Sequence, residues 1–184
     1  MCFTHHDEAC LLIAPSLTLR GWCRFACTTL HCPFFGIIGD TVKKSPTIVL
    51  DTNVLVSALR SRRGASFQLL RMLLDSRFVV VLSVPLLMEY ESVLLREGMV
   101  PLNAAQVNDV LDMICATAQF QDIHFLWRPQ LRDPKDEMVL ETAVNADADY
   151  LVTHNIRDFA LAQKFRVEVV TARTFLNHIE GTKR

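Results

Sequence analysis

The sequence lacks several features that would narrow its function at once. Its 19 basic and 20 acidic residues nearly cancel, so no overall positive field marks a nucleic-acid-binding protein, although local basic clusters could still bind one. No apolar run approaches the roughly 20 residues of a membrane helix, and the short segment ACLLIAP follows HHDE where a secretory signal would be basic. We therefore expect a soluble, intracellular protein.

Cysteine is nearly absent after residue 32, because only Cys115 lies in the rest of the chain. A secreted disulfide framework would spread its cysteines through the folded body. A zinc site would need a second ligand pair at a suitable distance from Cys23 and Cys27, and only His31 and Cys32 are near. Both kinds of site are therefore disfavoured.

The first 41 residues differ from the rest of the chain. They show no sustained helix or strand period, whereas a regular pattern begins at Val42. Bacterial translation can start at a valine codon, so one hypothesis is that Val42 is the initiator and that residues 1–41 are upstream sequence. The alternative is an ordered, cysteine-rich appendage. The intact mass of the natively expressed protein distinguishes the two, and in either case we place a single domain at 42–184.

From residue 47 onward, strand-like and helix-like runs alternate. Nearly continuous apolar stretches, typical of strands covered on both faces, lie at 47–50, 78–82, 150–153 and 167–170. Helical patterns lie at 54–60, 65–75, 85–97 and 103–118, from Asp133 onward, and after Thr171. This alternation predicts a three-layer α/β/α sandwich with a parallel central sheet.

Several acidic residues lie at strand ends or on the inner faces of helices. Asp51 directly follows the first strand, where the working residues of open parallel sheets lie, although it could equally cap the next helix. Glu89 lies at the edge of an apolar stripe, where an acid without a partner is costly. Asp136 lies in a first helical turn on the apolar face, although the helix dipole alone would favour an acid there. Asp133 is better assigned as a helix cap.

Thr153, Asn155 and Asp158 follow the third predicted strand, at the same sheet edge. Carboxylates gathered at one edge would all be ionised near neutral pH and would repel one another. A divalent cation removes this repulsion, and oxygen-only ligation favours Mg²⁺ or Mn²⁺ over Zn²⁺. Metal ions held in this way activate water and neutralise the charge on a phosphodiester.

These segments resemble the PIN-domain family of metal-dependent ribonucleases. IVLDTNVLVSAL is similar to the first motif of the family, SVPLLMEYESVL to the second, and DPKDEMVLETAVNADADYLVTHNIRDF to the third and fourth combined. The resemblance covers about 47–178 and points to the toxin components of toxin–antitoxin systems. The sequence departs from the family at Asn155, where an aspartate is common, and this weakens the case for a second metal ion.

The resemblance implies a hydrolase, an endonuclease that cleaves single-stranded RNA to 5′-phosphate and 3′-hydroxyl ends. The residues expected to act in catalysis are Asp51, Glu89, Asp136, Asn155 and Asp158, of which the first three hold Mg²⁺ or Mn²⁺. Asn53 and Thr153 are expected to orient these ligands. Arg60, Arg62 and Arg63 follow the first motif and could clamp phosphates, or could equally cover a solvated helix end.

Other functions stay open at this point. The missing fourth acid would also suit an inactive PIN scaffold that binds RNA or protein. Cleavage of structured DNA, as in related flap nucleases, is less favoured because the chain lacks a long insertion that could guide a duplex. Haloacid-dehalogenase phosphatases share the DxN-like opening, but they require an aspartate where Asn53 stands.

Two protein partners are also expected from the resemblance. A toxin would bind a small antitoxin that inserts an Arg or Lys into the acidic groove. A homodimer could form through the 103–118 helix, although burial of its apolar stripe within the chain explains that helix equally well.

Overall fold

Five short strands form a sheet in which every neighbouring pair is parallel. The computed structural model describes residues 45–126, 128, 130–131 and 133–181. The strands of this part of the chain are β1 (Thr47–Leu50), β2 (Val79–Leu82), β3 (Gln119–Phe120), β4 (Tyr150–Val152) and β5 (Glu168–Val170). Their order across the sheet is β3-β2-β1-β4-β5, which places β1 in the middle. The predictions about residues 1–41 concern residues outside those described.

Helices form the layers on either side of the sheet. They are α1 (Thr52–Arg60), α2 (Ala65–Arg71), α3 (Val84–Leu94), α4 (Ala104–Thr117), α5 (Pro134–Asn145) and α6 (Ala172–Gly181), with short 3-10 helices at Met72–Asp75 and Ala160–Phe165. α2 packs against α1 and α6, whereas α3 packs against α4 and α5. The predicted α/β/α sandwich with a parallel sheet is confirmed. Within the described residues, no helix has the length and apolar character needed to cross a membrane.

Burial on both faces of the central strands explains their unbroken apolar sequence. Ile48, Val49 and Leu50 are at most 1% exposed, although successive side chains point to opposite faces of the sheet. Both faces must therefore be covered, as in other sheets whose parallel strands are joined by helical crossovers. Each such side chain contributes about 1.5–3 kcal/mol relative to an exposed one.

Helix starts predicted from capping residues are present in the structure. Asn103 Oδ1 accepts a hydrogen bond from the Gln106 N–H at 2.9 Å, and Gln106 Oε1 accepts one from the Asn103 N–H at 3.1 Å. Asp133 caps α5 by accepting from the Lys135 N–H at 3.0 Å. The apolar stripe of α4 is buried inside this chain, so the helix is explained without a second copy of the protein.

The structure contains a strand that the sequence did not predict, and one helix ends earlier than predicted. The strand β3 was not predicted, because its two residues are exposed at the sheet edge and carry no periodic signal. Helix α3 ends at Leu94 rather than at residue 97. The chain turns there through Gly98, whose φ of +71° lies in the region that favours glycine.

Candidate functional site

Asp51 lies at the carboxyl end of β1 and is 4% exposed. Its Oδ2 accepts a hydrogen bond from the Thr153 hydroxyl at 2.6 Å, and its Oδ1 accepts one from the Asn53 N–H at 3.4 Å. Burial raises the pKa of Asp51 above its usual value, while these hydrogen bonds and the nearby His154 oppose the rise. Asp51 therefore caps α1 from the carboxyl end of β1, and its predicted role in catalysis stays a prediction.

A polar network fixes the orientation of the Asp51 carboxylate. Thr153 is fully buried, and its hydroxyl oxygen accepts from the Asn155 N–H at 2.9 Å and from Asn53 Nδ2 at 3.4 Å. Asn53 Oδ1 in turn accepts from the His154 N–H at 3.3 Å. These bonds tie the first turn of α1 to the loop after β4, which is the geometry that the predicted orienting role of Asn53 and Thr153 requires.

Four acidic side chains line one cavity of about 330 Å³. We call it the carboxylate cavity, and its polar lining consists of Asp51, Thr52, Asn53, Glu89, Asp133, Lys135, Asp136 and Asn155. Val56, Val93, Met99 and Val139 supply apolar walls. The structure thus brings Asp51 from the end of β1, Glu89 from α3 and Asp136 from α5 to a single place.

Negative charge is concentrated at Asp136. The pKa of its carboxyl group is raised from 3.8 to about 6, first by burial and then by the charges of Asp51, Asp133, Asp158 and Glu137. A carboxylate with this many like-charged neighbours is held in its ionised form at a cost in free energy. A cation placed among these groups would remove that cost.

The lining residues fit a hard divalent cation in chemical type. Among the described residues, no three His, Cys, Asp or Glu side chains stand ready as a metal-binding group. The cavity nevertheless offers carboxylate and amide oxygens, the ligands that Mg²⁺ and Mn²⁺ take in proteins. The charge imbalance that raises the pKa of Asp136 is the one that such an ion neutralises. Side-chain movement would be needed for these oxygens to converge on one ion.

Other predicted residues lie outside the carboxylate cavity. Asp158 lines a neighbouring cavity instead, although its charge contributes to the raised pKa of Asp136. Arg60, Arg62 and Arg63 are exposed at the end of α1 and in the turn that follows it, and none of them lines the carboxylate cavity. Their contact with phosphate stays a prediction.

Two further residues at this site were missed by sequence reasoning. Lys135 is the cationic member of the described cavity lining, and its position in a first helical turn, where a basic residue opposes the helix dipole, could have drawn attention to it. Tyr90 is fully buried, and its hydroxyl donates to the backbone oxygen of Leu50, directly before Asp51. Tyr90 gave no such signal, because it looks like an ordinary member of an apolar stripe.

Comparisons with known proteins identify one family model and similar solved structures. A family model described as the PIN domain matches residues 47–157. A chain of VapBC2 from Rickettsia felis, solved bound to a DNA fragment from their promoter, is 17% identical, with 68% of this chain and 98% of that chain covered and a TM-score of 0.49. A chain of VapBC-1 from nontypeable Haemophilus influenzae is 13% identical, with 69% and 98% covered and a TM-score of 0.50.

The similarity to the Haemophilus influenzae chain supports the fold alone, because the identity is low. No curated protein matches the sequence. The family model, however, covers more than half of the chain and includes Asp51, Glu89, Asp136 and Asn155. The chain therefore belongs to the PIN domain family.

Proposed function

We propose that this protein is a Mg²⁺- or Mn²⁺-dependent endoribonuclease that cleaves single-stranded RNA at the carboxylate cavity. The strongest support is that Asp51, Glu89 and Asp136, which are distant in sequence, line the same cavity. Membership of the PIN domain family supports the same activity. We assign the activity to a single domain at 42–184.

In this proposal, Asp51, Glu89 and Asp136 hold the cation, and Asn155 adds an amide oxygen. When bound, the cation supplies charge neutralisation for the phosphodiester and activation of the attacking water. Thr153 keeps the Asp51 carboxylate in one orientation through its 2.6 Å hydrogen bond. Lys135 lines the same cavity, where its ammonium group can contact a phosphate oxygen.

A cleavage assay on labelled single-stranded RNA with Mg²⁺ or Mn²⁺ tests this proposal. The informative variant is Asp51→Asn, and the matched control is Asp109→Asn, which changes an exposed acid of α4 in the same way. We expect cleavage by the wild type and by Asp109→Asn, and loss of at least about 100-fold in Asp51→Asn, since a metal ligand contributes several kcal/mol to the transition state. Equal cleavage by wild type and Asp51→Asn would refute catalysis at this site.

The same assay separates the alternative functions. Absence of cleavage by every protein, with RNA still bound, would favour a scaffold that binds without catalysis. Faster cleavage of branched DNA than of single-stranded RNA would instead favour a structure-specific DNA nuclease.

We further propose that the protein is the toxin of a bacterial toxin–antitoxin pair and acts in the cytoplasm. The acidic lining of the cavity is complementary to an Arg or Lys inserted by a small antitoxin. A small protein encoded beside this gene should abolish RNA cleavage at equimolar concentration and should lose that effect when its inserted basic residue is changed to Ala. Full cleavage in the presence of every such neighbour would contradict the pairing.

A further inference from the structure

A second cavity, of about 450 Å³, lies beside the carboxylate cavity. Its described lining consists of Gln130, Leu131, Arg157, Asp158, Ala160 and Leu161. This volume falls in the range of pockets that bind small ligands, about 300–1,000 Å³. We call it the flanking cavity. It combines a guanidinium group, an amide, a carboxylate and apolar walls, and the proposed metal site uses none of them.

One wall of the flanking cavity is fixed by a buried carboxylate. Glu137 is 2% exposed, and its Oε1 accepts hydrogen bonds from the N–H groups of Gln130 at 2.6 Å and Leu131 at 2.8 Å. One helical turn further along α5, Glu141 accepts two hydrogen bonds from the guanidinium of Arg128, at 2.8 and 2.9 Å. Charge-assisted bonds of this kind are strong, so the backbone at Gln130 is held in place before any ligand arrives.

The two cavities share one short turn of the chain. Asn155 lines the carboxylate cavity, whereas Arg157 and Asp158 line the flanking cavity. The turn is closed by a 3.0 Å hydrogen bond from the Asp158 N–H to the Asn155 backbone oxygen. Three residues span at most about 11 Å, so a strand cleaved in the first cavity can reach the second within a nucleotide or two.

We propose that the flanking cavity binds one base of the single-stranded RNA next to the cleaved bond and selects bases that carry an exocyclic amino group. This proposal rests on the proposed ribonuclease function. The aliphatic side chains of Leu131 and Leu161 supply apolar contact to the base faces. Arg157 contacts the phosphate that follows.

Selectivity follows from the hydrogen-bonding capacity of the Asp158 side chain. Asp158, as a carboxylate, accepts hydrogen bonds but donates none, so it suits the amino groups of cytosine, adenine or guanine. Uracil presents a carbonyl oxygen where cytosine carries its amino group, so only its N3–H remains to donate to Asp158. Uracil should thus be the least favoured base at this position.

Binding of short RNAs without metal tests this proposal independently of cleavage. The probes are fluorescein-labelled tetranucleotides, either uridine only or with one cytidine, measured by fluorescence anisotropy on Asp51→Asn protein in EDTA. We expect the cytidine probe to bind at least about fivefold more tightly and Asp158→Ala to remove most of that ratio. The matched control is Asp109→Ala, because Asp109 is exposed on α4 and lines neither cavity.

The predicted phosphate contact of Arg157 is tested with the same probes. Arg157→Ala should weaken the binding of both probes about equally, because a phosphate contact carries no sequence information. Lys164→Ala should leave the binding of both probes unchanged. Equal binding of the two probes, or an unchanged ratio in Asp158→Ala, would overturn the proposal.

A parallel cleavage assay in Mn²⁺ separates this proposal from the proposed ribonuclease function. Base-selective binding that depends on Asp158, without RNA cleavage by the wild type, would refute the ribonuclease and preserve the base site. Cleavage without base preference at any position near the cut would refute the base site alone.

Discussion

Two groups of acidic side chains near the start of α5 differ in their partners. Glu137 and Glu141 are buried but accept hydrogen bonds from backbone N–H groups and from Arg128, although Glu137 Oε2 has no partner among the described residues. Asp136, adjacent in sequence to Glu137, faces Asp51 and other acids across a cavity. The first group accepts hydrogen bonds within the chain and holds a loop. The second is left with excess negative charge, as a cation site requires.

Metal affinity should separate the two groups most strongly. Asp136→Asn is expected to weaken Mn²⁺ binding by at least about 100-fold, because it removes a charged ligand from the cavity. Glu141→Gln should bind Mn²⁺ as the wild type does, since Glu141 lines neither cavity. Isothermal titration calorimetry of the metal-free proteins measures both affinities. Equal losses in the two variants would show that net charge, rather than the cavity, determines binding.

The free energy of unfolding should instead depend more on the partners of Glu137 and Glu141 than on Asp136. Arg128→Ala is expected to lower the free energy of unfolding by about 2 kcal/mol, because it leaves the Glu141 carboxylate buried without its cation. This figure is below that for a fully buried pair, since the Arg128 side chain is 46% exposed. Urea unfolding measures the change. Arg173→Ala, which changes an exposed arginine of α6, is the matched control and should be close to neutral.

How far the sequence could reveal these groups depends on where each signal lies. Asp51, Glu89 and Asp136 each interrupt or border an apolar run, so their position at the site could be predicted locally. In the sequence, Glu137 and Glu141 look like part of a solvated helix face. Their burial depends on contacts with the loop that contains Arg128 and Gln130. No local pattern encodes that contact.

The flanking cavity escaped prediction for the same physical reason. Its lining comes from the loop before α5 and from residues after β4, which meet only in the folded chain. The arginines after α1 could be predicted as basic and exposed, but their distance from the carboxylate cavity could not. Features that depend on neighbouring residues could therefore be predicted from the sequence. Contacts made by the long-range packing of loops could not.

Removing the excess charge should stabilise the metal-free protein. Asp136 has a pKa of about 6 in the folded state against 3.8 as its ordinary value, so folding is penalised above about pH 6 and the penalty disappears as the pH falls towards 4. Because Asp136 is only half-buried, we discount the penalty for solvent screening to no more than about 1 kcal/mol.

Thermal unfolding in EDTA tests this expectation. Asp136→Asn should exceed the wild type in stability at pH 7.5, and the gap should close by pH 4.5. Saturating Mn²⁺ should reverse the order at pH 7.5, because only the wild type retains the full ligand set. A gap that is independent of pH would contradict the assigned cause.

The smallest expected effects belong to Lys135, the cation in the acidic group. Lys135→Ala should raise the KM for RNA about threefold, since an exposed ammonium contributes less than about 1 kcal/mol to phosphate contact. The same change should slightly strengthen Mn²⁺ binding, because it removes a positive charge from the cavity lining. Lys164→Ala should alter neither quantity.

Opposite signs for the changes in RNA and Mn²⁺ binding identify a cation that faces substrate. Both effects should shrink at 0.5 M salt, where screening is stronger. Parallel weakening of RNA and Mn²⁺ binding would instead mean that Lys135 acts through the conformation of the first turn of α5.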